Sequence, residues 1–106
     1  MKSLKVEVLL PLKYNDKTNV EKRKFTSTYD DMIGKFKGVT IDETPLIGGW
    51  IDPDTNKPVE DEVIVYWSLC DDTEENITFL NCLKLILKER FNQKDILMYY
   101  IPIERL

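Results

Sequence analysis

No histidine and no alanine occur anywhere in the 106 residues, and the chain has only two cysteines and four glycines. Without imidazole the commonest general base is gone, so Ser-His-Asp and Cys-His catalysis are excluded along with any zinc-finger ligand spacing. The two cysteines, Cys70 and Cys82, make no disulfide framework, and each reads as a core thiol, the usual fate of free cysteine. The glycines build no phosphate-cradling loop and no nucleophile elbow. Long apolar runs are missing as well. The stretch 4–10 is too short for a signal peptide and is interrupted by Glu7, and no segment approaches the roughly 20 apolar residues of a membrane span. The expected location is the cytoplasm, with no membrane partner.

What remains is ordinary globular material, 42% hydrophobic and 32% charged, of a length that suits one core and one domain over residues 1–106. The net charge of −4 is laid out unevenly. Residues 1–38 carry nine Lys or Arg against five Asp or Glu, residues 39–79 one against eleven, and residues 80–106 five against three. An acidic band therefore lies between two basic flanks.

Leu4, Val6, Val8, Leu10 and Leu12 alternate with other residues in the period of a half-buried strand. Thr18-Asn19-Val20-Glu21 offers a capping box to a helix whose apolar stripe is Phe25, Tyr29, Met32, Ile33 and Phe36, with Gly34 and Gly38 at its end. A second strand opens at Val39-Thr40-Ile41, is interrupted by Asp42-Glu43-Thr44-Pro45 and resumes at Leu46-Ile47, which suits a sheet edge or a bulge. Asp52-Pro53-Asp54-Thr55-Asn56 is turn chemistry leading to a third strand, Val63 to Leu69, apolar enough to be central. Asp71-Asp72-Thr73-Glu74-Glu75 caps a second helix with Phe79, Leu80, Cys82, Leu83, Ile86, Leu87 and Phe91 on its buried side. A final strand spans 96–103, with Pro102 suited to an edge.

The order strand-helix-strand-strand-helix-strand predicts an α+β, ferredoxin-like βαββαβ two-layer sandwich: an antiparallel four-stranded sheet of order 4-1-3-2 with both helices on one face. In that topology the loop after strand one, the hairpin and the turn before strand four share a pole. Lys13, Lys17, Lys22 and Arg23 are thereby expected near Asp52, Asp54, Glu60 and Asp61, together with Arg90, Gln93 and Lys94, and with Trp50 beside the double glycine Gly48-Gly49, which suits a β-bulge and the close approach of a ligand equally well. This set, without Glu60 and Lys94, is the candidate ligand site. Lys22-Arg23-Lys24 is unfavourable at the positive end of a helix dipole, so it calls for compensation, either by the acidic hairpin or by a small bound anion. The other sheet face is left without helices, and apolar groups fall on it whichever way strand three is turned. Leu9, Ile64, Tyr66 and Tyr99 are the candidate interface of a homodimer formed through that face or an edge strand.

Asp52-x-Asp54-x-Asn56 departs from a calcium loop, with Lys57 where glycine is needed and Val63 where a bidentate glutamate is needed. Strand aromatics Tyr66 and Trp67 invite comparison with RNA-recognition modules, but the acidic band would repel phosphates, so no nucleic-acid partner is expected. No cofactor is called for.

Gly-Gly-Trp-x-Asp-Pro-Asp, a following Asp-Glu, a tyrosine on the next strand and Arg-Phe-x-Gln before the last strand together resemble a small family of prokaryotic ferredoxin-like proteins of unknown function. The resemblance spans about Trp50 to the C-terminus and implies a fold and no activity. The expectation for function is a non-enzymatic, self-associating accessory or regulatory domain. The alternatives are a carboxylate- or metal-dependent, nuclease-like hydrolase built on Asp52, Asp54 and Asp61, and a small-anion sensor at the start of helix one.

Overall fold

Alternation in the first ten residues produces β1 (Ser3–Pro11), with Leu4, Val6, Val8 and Leu10 all at 1% exposure or less. The computed structural model describes residues 2–106 and continues through α1 (Lys22–Phe36), β2 (Thr40–Ile51), β3 (Pro58–Asp71), α2 (Glu74–Arg90) and β4 (Met98–Ile103). All strand pairs are antiparallel and the sheet order is β2-β3-β1-β4, so the fold is the ferredoxin-like α+β arrangement expected from element order.

Strand faces follow from register. Val6, Val8 and Leu10 stand opposite Ser68, Tyr66 and Ile64, and this shared face meets Met32 of α1 and Leu80, Leu83 and Leu87 of α2 in the core. Phe25 and Phe91 pack edge to face at 5.3 Å between ring centroids, and Phe36 and Phe79 at 5.4 Å, which ties the two helices together. Ser68, 1% exposed, is satisfied by donating to the Gly38 carbonyl at 2.7 Å.

Several local expectations change. The Thr18–Glu21 capping box does not form: the Asp16 carboxylate accepts from the Thr18 backbone N–H and hydroxyl, and Glu21 is the N-cap residue without a side-chain cap bond. Gly34 lies inside α1, and the left-handed residue that ends the helix is Lys37, φ 66°. Thr73 caps α2 as expected, accepting from the Asn76 N–H at 3.2 Å. Cys70 is a core thiol, but Cys82 and Ile86 lie on the exposed side of α2.

Pro45 and Pro102 lie within the two edge strands, where a missing amide is tolerated, whereas Pro11 and Pro58 stand at the ends of the central strands. Leu9 N–H donates to Leu97 at 3.0 Å, so the odd residues of β1 bond to β4, and Met98, Tyr100 and Pro102 turn their backbone polar groups to the free edge. The absent N–H of Pro102 therefore falls where an added strand would need it. On the opposite edge, β2 runs irregularly between Asp42 and Leu46, where the Asp42 side chain accepts from the Thr44 N–H at 3.0 Å and Pro45 follows. Gly48 and Gly49, by contrast, pair regularly with Asp61 and Glu60, so the irregularity sits upstream of the double glycine.

Candidate functional site

Two regions gather the side chains singled out in the sequence: the pole of the loops and the open sheet face. At the pole the turn forms as Asp-Pro-Asp-Thr-Asn dictates. The Asp52 side chain accepts from the Asp54 N–H at 2.9 Å, Asn56 adopts φ 56°, and its N–H reaches the Asp52 carbonyl at 2.7 Å. Lys94, in the turn before β4, closes on the Asp54 carboxylate and lies 3.7 Å from Asp52. The Asp54 hydrogen bond raises the Lys94 pKa above its ordinary value.

The remaining candidates do not converge there. Arg90 points into the helix pair, meeting Asp31 Oδ2 at 2.9 Å and donating to Thr28 Oγ1 at 3.0 Å. Gln93 folds back on the Phe91 carbonyl at 3.1 Å. Lys13 forms an isolated bridge with Asn19, Lys17 sits at φ 71° in the same loop, and Lys22 and Arg23 open α1 as exposed side chains. Among the described residues none of these four closes an ion pair. Compensation for the basic start of α1 comes from Glu21, not from the hairpin: Glu21 accepts from the Tyr14 hydroxyl and lies 3.6 Å from Lys24, whose ammonium stands 4.8 Å from the Tyr14 ring centroid. The Tyr14 hydrogen bond holds the Glu21 carboxyl below the ordinary range.

Asp61 is drawn away from Asp52 and Asp54, accepting from the Trp50 indole N–H at 2.7 Å. Among the described residues no group of three or more His, Cys, Asp or Glu is placed to hold a metal ion. The carboxylates that a hydrolase would share are thus divided between Lys94 and Trp50.

The open face is built by Lys5, Glu7 and Leu9 of β1, Val63, Val65, Trp67 and Leu69 of β3, and Tyr99, Ile101 and Ile103 of β4. Leu9 and Tyr99 belong to it as expected. Ile64 and Tyr66 do not: register sets them opposite Leu10 and Val8 on the helix side, in the core cluster, and their neighbours Val63, Val65 and Trp67 take the other side, where Val65 is itself only 9% exposed. Burial also pushes the Tyr66 phenol above its ordinary pKa. Lys5 stands over the Trp67 ring at 4.7 Å, while Tyr99 and Ile101 are 40% and 44% exposed.

Sequence reasoning missed three features. The Arg90–Asp31–Thr28 contact joins residues about sixty apart, and no local pattern announces it. The apolar run of α2 concealed an exposed stripe of Cys82, Leu85 and Ile86. Strand period alone would have placed Ile47 and Ile51 on one side of β2, but not the absence, among the described residues, of a helix packed on that stretch, which leaves them 74% and 57% exposed. Among the described residues no helix is long and apolar enough to cross a membrane.

No family model and no curated protein matches the chain. Among solved structures it is similar to a phage SAM lyase in complex with S-methyl-5'-thioadenosine, with TM-score 0.69 and 11% identity over 97% of this chain and 90% of that one. It is also similar to CutA1 from Oryza sativa, with TM-score 0.65 and 14% identity over 99% of this chain and 83% of that one. At such identities the likeness is one of fold.

Proposed function

We propose that this chain is a non-enzymatic accessory or regulatory module that works as a homodimer, open sheet face against open sheet face. The observation that carries the reading is the apolar, helix-free face, where Trp67, Leu69, Tyr99 and Ile101 surround one lysine and one glutamate. A surface of this make-up marks a partner. Lys5 and Glu7 are two residues apart on the central strand, so a two-fold axis level with Val6 sets each Lys5 against Glu7 of the second copy, the self-complementarity an isologous contact needs. Four strands give a face about 19 Å across and about 25 Å long. That footprint, near 500 Å², approaches the roughly 800 Å² per partner of a standard interface once side-chain relief is counted.

The non-enzymatic part rests on the division of the acidic residues, with Asp52 and Asp54 engaged by Lys94 and Asp61 by Trp50. A cytoplasmic setting fits an exposed, unpaired Cys82 beside a buried Cys70. Kinship with the small prokaryotic ferredoxin-like family of unknown function is part of the same proposal, supported by the Gly-Gly-Trp hairpin and the shared fold class.

Sedimentation velocity and light scattering at micromolar concentration test the reading. The wild type is expected as a dimer, and Ile101→Lys, on a 44%-exposed position, as a folded monomer by circular dichroism. A wild type that stays monomeric at every concentration removes the proposal.

A further inference from the structure

Past the hydrogen bond from Leu12 N–H to the Glu62 carbonyl at 3.0 Å, β2 and β3 leave the sheet as a two-stranded ribbon that ends in the Asp52–Asn56 turn. A ribbon of two strands is only marginally stable by itself. From Leu46 to Glu62 no residue is buried, and none joins the hydrophobic core. The side-chain hydrogen bonds of this stretch stay within the hairpin, from the Trp50 indole to Asp61, from the Asp54 N–H to Asp52 and from the Lys57 N–H to Thr55. Among the described residues one side chain crosses from the body. Lys94, in the turn between α2 and β4, closes on the Asp54 carboxylate and stands 3.7 Å from Asp52.

The root of the ribbon is built to bend. β2 loses register with β3 between Asp42 and Leu46, the Thr44 N–H is turned to the Asp42 side chain, and Pro45 has no N–H to give. At that level only β3 keeps a continuous ladder, through its pairing with β1. A ribbon joined to its sheet by one regular strand and one interrupted strand can change its angle without breaking a pair inside the hairpin.

We infer that residues 46–61 form a hinged arm whose docked position is held by Lys94 as a latch, and that ionic strength sets how much of the time the arm is docked. The latch is weak because it is wet. The Lys94 and Asp54 side chains are 57% and 68% exposed, so mobile ions screen their attraction, and it shifts the docked-to-free ratio by about fivefold. The turn survives release, since its own bonds, Asp54 N–H to the Asp52 side chain and Asn56 N–H to the Asp52 carbonyl, do not involve Lys94. The arm therefore moves as a formed hairpin. None of this depends on the self-association proposed above.

The test aligns the full chain in a neutral gel and measures backbone residual dipolar couplings from about 0.01 M to about 1 M sodium chloride, over which the screening length shrinks from about 30 Å to about 3 Å. At low salt the couplings of amides between 47 and 60 are expected to fit the alignment of the sheet body, and at high salt to shrink through averaging while those of β1 hold. Lys94→Met keeps the stem and loses the charge, and Asp52→Asn with Asp54→Asn removes the partners while keeping an acceptor for the turn. Both are expected to show shrunken couplings at low salt and no further response to salt. Lys57→Met removes an exposed cation of the same hairpin that closes no ion pair among the described residues, and is expected to behave as wild type. Wild-type arm couplings that ignore salt or are already averaged at low salt overturn the latch, as do couplings that stay large at low salt in either latch variant. The ribbon's direction would then come from its own twist.

Discussion

Replacing Arg90 by methionine separates a packing role from an electrostatic one, because the aliphatic stem is kept and the guanidinium is lost. The side chain is 19% exposed, its Nη2 lies 2.9 Å from Asp31 Oδ2, and its Nη1 donates to Thr28 Oγ1 at 3.0 Å. Thr28 is 0% exposed and donates onward to the Lys24 carbonyl at 2.8 Å. Asp31 Oδ2 is shut off from water, and the guanidinium meets it at ion-pair distance without a well-aligned hydrogen bond. Removing the cation leaves that oxygen without its counter-charge. Breaking a fully buried pair costs about 3–5 kcal/mol. The Asp31 side chain is 37% exposed, which allows partial rehydration and brings the expected cost to about 2 kcal/mol. For a domain of this size that is a fall in Tm of about 10 °C. Asp31→Asn in the Arg90→Met background is expected to restore part of the loss, so a double-mutant cycle by urea unfolding reads a coupling of about 1 kcal/mol or more. A single variant within about 0.5 kcal/mol of wild type, or strictly additive effects, refutes the argument that the helix pair is locked electrostatically.

The Lys35 ammonium, hydrogen-bonded to Glu75 at 2.6 Å, holds that carboxyl below its ordinary pKa. The pair's stabilisation is therefore complete above the ordinary glutamate value and is lost as pH falls through the lowered one. Carboxyl-carbon NMR titration is expected to show Glu75 moving upward in Lys35→Met, and an unmoved titration refutes the contact. Exposed Cys82 should react with a thiol reagent in the native state, whereas Cys70, buried and with its thiol pKa pushed up by desolvation, should react only after denaturant is added. Equal native reactivity of both would contradict the placement of β3's faces.

Topology was legible in the sequence because β1 alternates cleanly and the order of elements admits few arrangements. The faces of β3 were not, because Val-Ile-Val-Tyr-Trp is apolar on both sides, and Ser68, polar yet buried on the Gly38 carbonyl, gives no hint of direction. In the same way α2 is apolar nearly all round, so the core positions Leu80, Leu83 and Leu87 could not be told from exposed Cys82 and Ile86 by period alone. The candidate site was legible only where local chemistry fixed it. The Asp52–Asn56 turn formed as its residues dictate, whereas Arg90 was drawn to Asp31 by packing between helices distant in sequence.

The irregularity in β2 decides which side the second half of that strand presents. Asp42 pairs with Val65 and Leu46 with Val63, so four steps on one strand match two on the other. The surplus is an even number, and the alternation of sides resumes in phase. A chain shortened by two residues in this segment would keep Trp50 beside Asp61. One shortened by a single residue would leave β2 out of step with β3, so that either a one-residue bulge absorbs the slip or the indole is carried to the helix side and Ile51 comes round in its stead.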